Sequence, residues 1–180
     1  MINIGGYIPP FTDGMSLVEL GGGAQPRVRP NIDVRMIPGL VDLVADFNQP
    51  LPVHGDQFDG LLCIFALEHV SYRNVHGLVS EMCRILKPGG VAALVVPNTL
   101  EQCRKAVNTP VWDKDISSML FGDQDYSDNT HKLAISPESA VRMFKECGFY
   151  RVETAPLPTC DTDMSITAYK SAAVIAIGRP

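Results

Sequence analysis

Strand-like and helix-like segments alternate along this chain, which predicts an α/β domain built on a mostly parallel sheet. Two junctions sharpen that expectation. The apolar run Leu17-Val18-Glu19-Leu20 ends directly on Gly21-Gly22-Gly23, and a helical pattern is stopped by Lys87-Pro88-Gly89-Gly90 just ahead of a second apolar run. The first junction is a strand feeding a glycine turn, where backbone N–H groups lie open to a ligand with no Cβ in the way.

In chain order, strands are expected near 16–20, 31–34, 41–46, 58–64, 90–97, 149–156 and 166–177. From Tyr72 to Leu86, Val75, Leu78, Val79, Met82 and Leu86 recur at helical spacing, and the cation, proline and glycines that follow end the helix. Asn98-Thr99-Leu100-Glu101 reads as a cap and a short helix to about Val107. A further helix starts at Ser136-Pro137-Glu138, buries Val141 and Phe144, and stops at Gly148. Two connections are too short for the usual crossover helix. Gly21 to Pro30 contains Pro26 and Pro30, and Arg35 to Leu40 is shorter still, so the first helices are abbreviated and Met36, Ile37 and Leu40 are expected to be partly exposed. That thinly covered face makes a homodimer contact an expectation.

With 180 residues, 46% hydrophobic and 19% charged, the chain fits a single domain, residues 1–180. No apolar run is long enough to span a bilayer, and Met1-Ile2-Asn3-Ile4-Gly5-Gly6 lacks a secretory pattern, which predicts a cytoplasmic protein with no membrane partner. Cys63, Cys83, Cys103, Cys147 and Cys160 are widely spaced with no Cys-x-x-Cys pair, so reduced, mostly buried thiols are expected and no metal site. A net charge of −5 without a basic aromatic stripe disfavours nucleic acid.

The glycine turn is followed in order by Asn31-Ile32-Asp33, Leu43-Val44-Ala45-Asp46-Phe47, Phe58-Asp59-Gly60, Leu67-Glu68-His69 and Leu86-Lys87-Pro88-Gly89-Gly90. That ordered set, over roughly residues 16–178, resembles the class I S-adenosylmethionine-dependent methyltransferases, and among them the small methyltransferase type-11 domain. The resemblance implies a Rossmann-like three-layer sandwich with a seven-stranded, mostly parallel sheet and an antiparallel last strand. It also implies S-adenosyl-L-methionine as cofactor. A dinucleotide fingerprint fits poorly, because Pro26 occupies the third glycine position and Asp33 follows Gly21 by only 12 residues.

Carried onto this sequence, the resemblance places Gly21, Gly22 and Gly23 against the cofactor, with Glu19 supporting the loop and the cofactor's amino acid end. Asp33 falls where a carboxylate accepts from both ribose hydroxyls, each such bond contributing about 1.5–3 kcal/mol. Asp46 falls where an acid receives the adenine amino group, Phe47 walls the ring, and Phe65 and Ala66 line the methionine side. His69 is the first candidate for a general base, with ordering of the loop as the alternative, and His131 is the second candidate. Ile64-Phe65-Ala66-Leu67 lacks the Asn/Asp-Pro-Pro-Tyr/Phe signature of enzymes that methylate exocyclic base amines.

The first fifteen residues read as an N-terminal arm that either folds over the site or hangs free. Residues 108–135 carry Trp112, Phe121 and Tyr126 and an excess of three negative charges, from five aspartates against two lysines. This segment reads as a lid or substrate wall, unsuited to phosphate-rich substrates. Asp123, Asp125 and Asp128 are expected to be a solvated loop rather than a cation site. The expected activity is methyl transfer to an oxygen or nitrogen of a small-molecule or saccharide-like acceptor, the alternative being a cofactor-binding, non-catalytic accessory module. For the dimer contact, light scattering at high concentration should show twice the monomer mass; a monomer mass removes it.

Overall fold

The computed structural model describes residues 1–172. The strands are β1 (Leu17–Leu20), β2 (Asn31–Asp33), β3 (Leu43–Val44), β4 (Phe58–Ile64), β5 (Leu86–Pro97), β6 (Phe149–Leu157) and β7 (Cys160–Lys170). They form one sheet in the order β3-β2-β1-β4-β5-β7-β6, parallel from β3 to β5 and antiparallel where β7 meets β5 and β6. A 3-10 turn (Leu67–His69) and α1 (Val75–Ile85) lie between β4 and β5. Between β5 and β6 come α2 (Thr99–Val107), α3 (Lys114–Phe121) and α4 (Pro137–Glu146). This is the seven-stranded, mostly parallel Rossmann-like sheet with an antiparallel last strand that the resemblance implies.

Successive residues of a strand point to opposite faces, so each strand feeds two cores. One face sets Val18, Leu20, Leu61, Cys63, Leu94 and Ile166 against Leu78, Val79 and Met82 of α1 and Met143 and Phe144 of α4. The helices form as their sequence dictates. Ser136 caps α4 with a reciprocal Ser139 bond and Pro137 fills the first turn, while α1 ends where Leu86 turns extended.

The other face is covered differently. Leu62, Ile64, Ala93 and Val95 pack against Ile4 and Leu157, flanked by Ile2, Tyr7 and Phe11. The N-terminal arm therefore lies along the back of the sheet and takes the place of the abbreviated helices, rather than folding over the carboxyl edge of the parallel strands. Gly60 makes room for it: a Cβ there would sit 2.7 Å from the Phe11 ring and 2.6 Å from Leu17. Tyr7 Oη and Thr167 Oγ1 share a hydrogen bond of 2.8 Å.

Several boundaries differ from the sequence reading. No helix joins β1 to β2 or β2 to β3, as the short connections require, and Met36 is 65% exposed. The third strand shrinks to two residues, because Asp42 turns its carboxylate to the Asn31 N–H and Asp46 starts a turn. β5 begins at Leu86 instead of 90: Leu86 pairs with Phe58 before a bulge absorbs Lys87–Gly90. β7 begins at Cys160 because Leu157 and Cys160 close a tight hairpin, so polar Thr162 and Asp163 are strand residues. The tail of the strand expected there, 173–177, lies outside the described residues. α3 forms within the segment expected to be a lid or substrate wall; its start is held by Asp113, which accepts from the Asp115 N–H. Of the cysteines, Cys63 and Cys83 are buried, Cys147 and Cys160 are half-buried and Cys103 is exposed, so burial is less general than expected. No helix among the described residues is long and apolar enough to cross a membrane.

If the arm is a structural layer, Tyr7→Phe should lower stability by about 1 kcal/mol through the lost hydrogen bond. Phe11→Ala should cost about 1–2 kcal/mol by loss of half-buried apolar area, both read by urea denaturation.

Candidate active site

In the strand order, β1 and β4 are neighbours whose connections leave in opposite directions, and the crevice above their carboxyl ends is where an open parallel sheet receives ligands. A cavity of about 530 Å³ opens there. It brings together Gly21, Gly23, Asp33, Asp46, Phe47, Phe65, Ala66 and His69 from the sequence-predicted set. Glu19, Gly22 and His131 do not line it.

The glycine loop is held from behind by buried polar side chains. Gly21 N–H donates to the Ile32 carbonyl (2.7 Å), Gly22 N–H to Asn31 Oδ1 (3.0 Å) and Gly23 N–H to Asp33 Oδ2 (3.0 Å). Glu19, fully buried, accepts from the Val28 N–H at 2.9 Å and also from the Arg27 N–H, tying down the far end of the loop. Close approach demands glycine at two positions. Gly21 sits at φ +72° with a hypothetical Cβ 2.3 Å from Ala66 Cβ, and one on Gly22 would lie 2.6 Å from Asn31 Oδ1.

Asp33 is 4% exposed, and its carboxylate is engaged by Gly23 N–H and, at 2.9 Å, by Arg35 N–H. Asp46 is exposed; its Oδ1 takes both the Asn48 N–H and the Asn48 Nδ2, each at 2.9 Å. Phe65 follows β4 at φ +50°, a left-handed conformation that costs a non-glycine residue about 1–2 kcal/mol. Its N–H is held by the Val95 carbonyl at 2.9 Å, and the ring is 43% exposed.

Residues 108–135 supply the opposite wall. Tyr126, Asp128 and Lys132 line the cavity, and the Arg35 guanidinium lies 3.8 Å from the Tyr126 ring centroid. The segment is tied to the 3-10 turn by Lys132 N–H to the Glu68 carbonyl (2.8 Å) and by His69 Nδ1 to the Thr130 carbonyl (3.2 Å). Asp123 and Asp125 are engaged by Ser118 and Asn129 respectively.

A second cavity of about 370 Å³ shares Phe65 and His69 with the first. Glu68, Gln102, Asn129, His131 and Asp163 are among its walls. Gly122, at φ +80°, ends α3 and lets the chain return so that the His131 N–H reaches the Phe121 carbonyl at 3.0 Å. The His69 and His131 rings then lie 5.2 Å apart, centroid to centroid. Burial lowers the pKa of both: for His69 Lys132 adds to the effect, for His131 the neighbouring His69 does. Glu68 is the reverse case, since burial pushes its carboxyl up to about 8. Tyr126 and Asp128 come from the segment expected to be a wall, whereas Arg35, Asn48, Glu68 and Lys132 escaped sequence reasoning. Of these four Glu68 left a signal, an acid inside the otherwise apolar stretch from Ile64 to Val70, beside His69.

The Glu68 shift has a measurable sign. The folded state keeps the proton up to about pH 8 while the unfolded chain releases it near 4.5. Stability from this source is therefore full below about 4.5 and falls as pH rises toward 8. In metal-free buffer, wild type should lose up to about 1.4 kcal/mol per pH unit relative to Glu68→Gln across that window, by urea denaturation.

Residues 25–94 match the family model of the methyltransferase domain. The sequence matches no curated protein. Among solved structures, the fold is similar to a SAM-dependent methyltransferase from Thermotoga maritima, at 15% identity and a TM-score of 0.63, over 87% of this chain and 83% of that one. A SAM-dependent methyltransferase from Methanosarcina mazei is similar at 17% identity and a TM-score of 0.61, over 91% and 95%. A chain of the complex between the Haloferax volcanii Trm112 methyltransferase activator and a methyltransferase is similar at 18% identity and a TM-score of 0.60, over 91% and 85%. The cavity offers what the cofactor of such proteins needs: two carboxylates, two aromatic rings and a glycine turn that a Cβ would fill. The family match over residues 25–94 and the strand order are both in keeping with the resemblance to the class I S-adenosylmethionine-dependent methyltransferases, whose cofactor is S-adenosylmethionine.

Proposed function

We propose that the protein transfers a methyl group from S-adenosylmethionine to an oxygen or nitrogen of a small, polar, saccharide-like acceptor. The observation that carries this reading is the pair of cavities meeting at Phe65 and His69. The larger holds the predicted cofactor residues; the smaller is walled by amide, hydroxyl, carboxylate and imidazole groups suited to a polyol or amine.

When bound, the cofactor supplies a methyl group on a sulfonium, with a neutral thioether as leaving group. Asp33 and Asp46 are the groups to hold its ribose and adenine, and Gly21, Gly23, Phe47, Phe65 and Ala66 its remaining contacts. Glu19 and Gly22 act behind the loop. The protein's main contribution is positioning, for which effective molarity can supply up to about 7–11 kcal/mol. A carbonyl only accepts, so the Thr130 contact puts the His69 proton on Nδ1 and leaves the Nε2 lone pair free. That lone pair is where an acceptor proton is received. His131 meets the acceptor from the 108–135 segment, which closes the site as a lid within one domain.

The fold also hosts other chemistry: the [4+2]-cyclase SpnF is similar at 16% identity and a TM-score of 0.59, over 89% of this chain and 76% of that one. One similar chain comes from a complex with an activator, which favours a second reading, a partner-dependent module. The exposed Val34, Met36 and Val44 beside the edge strand β3 offer a surface for such a partner.

Calorimetric titration of the full chain with S-adenosylmethionine should show saturable binding, weakened at least about tenfold by Asp46→Ala and by Asp33→Ala, as loss of a charged hydrogen bond predicts. Asp46→Ala is the cleaner variant, since Asp33 also anchors the loop. Turnover on a polyol and amine panel supports the enzyme; cofactor binding without turnover in the isolated chain favours the partner-dependent module.

A further inference from the structure

Glu68, His69 and His131 present one ligand atom each within 4.8 Å of one another, at the wall of the second cavity. The set is assembled by folding alone: the 3-10 turn after β4 supplies two members and the return from α3 supplies the third. An independent observation marks it as built to receive something. Glu68 is 2% exposed, and its Oε2 is buried with no hydrogen-bond partner. Nearly all buried polar groups are paired, because an unpaired one costs about 1–3 kcal/mol, so this oxygen needs an explanation.

His69 carries the outer contact that metal-binding histidines usually make: its Nδ1 donates to the Thr130 carbonyl, which fixes the ring and leaves Nε2 as the ligand atom. Two imidazoles and one carboxylate suit zinc and its first-row neighbours, whereas magnesium and calcium prefer all-oxygen sets. Metal bonds of about 2.0–2.2 Å require the three ligand atoms to draw somewhat closer, within reach of side-chain rotation.

We infer that Glu68, His69 and His131 form a binding site for a divalent first-row transition metal, with zinc as the best-matched ion, open on the second cavity. Three protein ligands leave at least one position for an outside oxygen or nitrogen. If the cavity takes the methyl acceptor, a point that rests on the function proposed above, the metal occupies the His69 Nε2 lone pair in place of a proton and instead selects acceptors bearing a hydroxyl or amine able to ligate it, whose proton it makes easier to lose.

The test is titration of the full, chelator-treated protein with cobalt(II), read by the ligand-field absorption of the bound ion and by competition with zinc(II). One equivalent should bind with a low-symmetry spectrum, and zinc should displace it. Glu68→Gln and His131→Gln should each weaken binding by about tenfold or more, the effect of losing even a supporting group. His131 is only half-buried, so His131→Gln serves if Glu68→Gln does not fold. Asp46→Ala, in the cofactor cavity, should leave the spectrum unchanged. Absence of saturable binding by folded protein overturns the inference, as does binding that both ligand variants leave intact. Metal binding in a protein that fails to bind S-adenosylmethionine upholds the metal site while removing the methyltransferase reading.

Discussion

The glycine loop after β1 depends on a small set of buried polar side chains. In a longer crossover the first turns of a helix would organise such a loop; here the path from Gly21 to Pro30 has no helix to do so. Its amides are satisfied instead by Asn31, Asp33 and Glu19, all at most 4% exposed. Because a buried carboxylate or amide without partners is costly, each of these side chains selects the loop conformation that pairs it. Asp33 is then bound by two constraints, since the same carboxylate that holds Gly23 also borders the cavity.

Dispensing with helices on one face creates a second requirement, a cover for Leu62, Ile64, Ala93 and Val95. An extended arm can supply it because β4, β5 and β7 present a low surface there: Gly60 and Ala93 are small, and Thr167 is polar enough to bond Tyr7. A helix stands farther from a sheet than a single extended chain does. Small residues on this face and an aromatic-bearing arm are therefore one adaptation, and the space over β2 and β3 stays thinly covered, with Met36 exposed.

The sheet and most of the cofactor wall were legible in the sequence because they rest on local signals: apolar runs, glycine turns and acids at strand ends. Eight of the predicted site residues meet at one cavity, since strand ends of a parallel sheet must share an edge. What was not legible depends on distant pairing. The β7 start at Cys160 reads as loop because Thr162 and Asp163 are polar, and only the ladder with β5, where Pro97 faces Asp163, makes it a strand. α3 is short, and of its apolar residues only Ile116 is buried, so no stripe at helical spacing announces a core face. Glu68 left only the trace of an acid in an apolar stretch, and nothing in a tripeptide reveals that its carboxylate ends up sealed.

The strained Phe65 links these parts. A left-handed residue at the end of a central strand persists only when its surroundings over-determine it, and here the Val95 carbonyl fixes its N–H on one side while Ala66 meets the Gly21 turn on the other. The result is a sharp change of direction that sends the chain into the 3-10 turn. That turn places His69 on the border of the two cavities and aims the Glu68 carbonyl at Lys132. The 108–135 segment is thereby anchored to the sheet edge by the Lys132 and His69 hydrogen bonds, with Leu133 and Ile135 packed into the core beside them. Such an anchor fixes where the segment attaches while leaving its acidic, exposed outer residues free to vary, so the geometry of the first cavity's glycine wall does not depend on them.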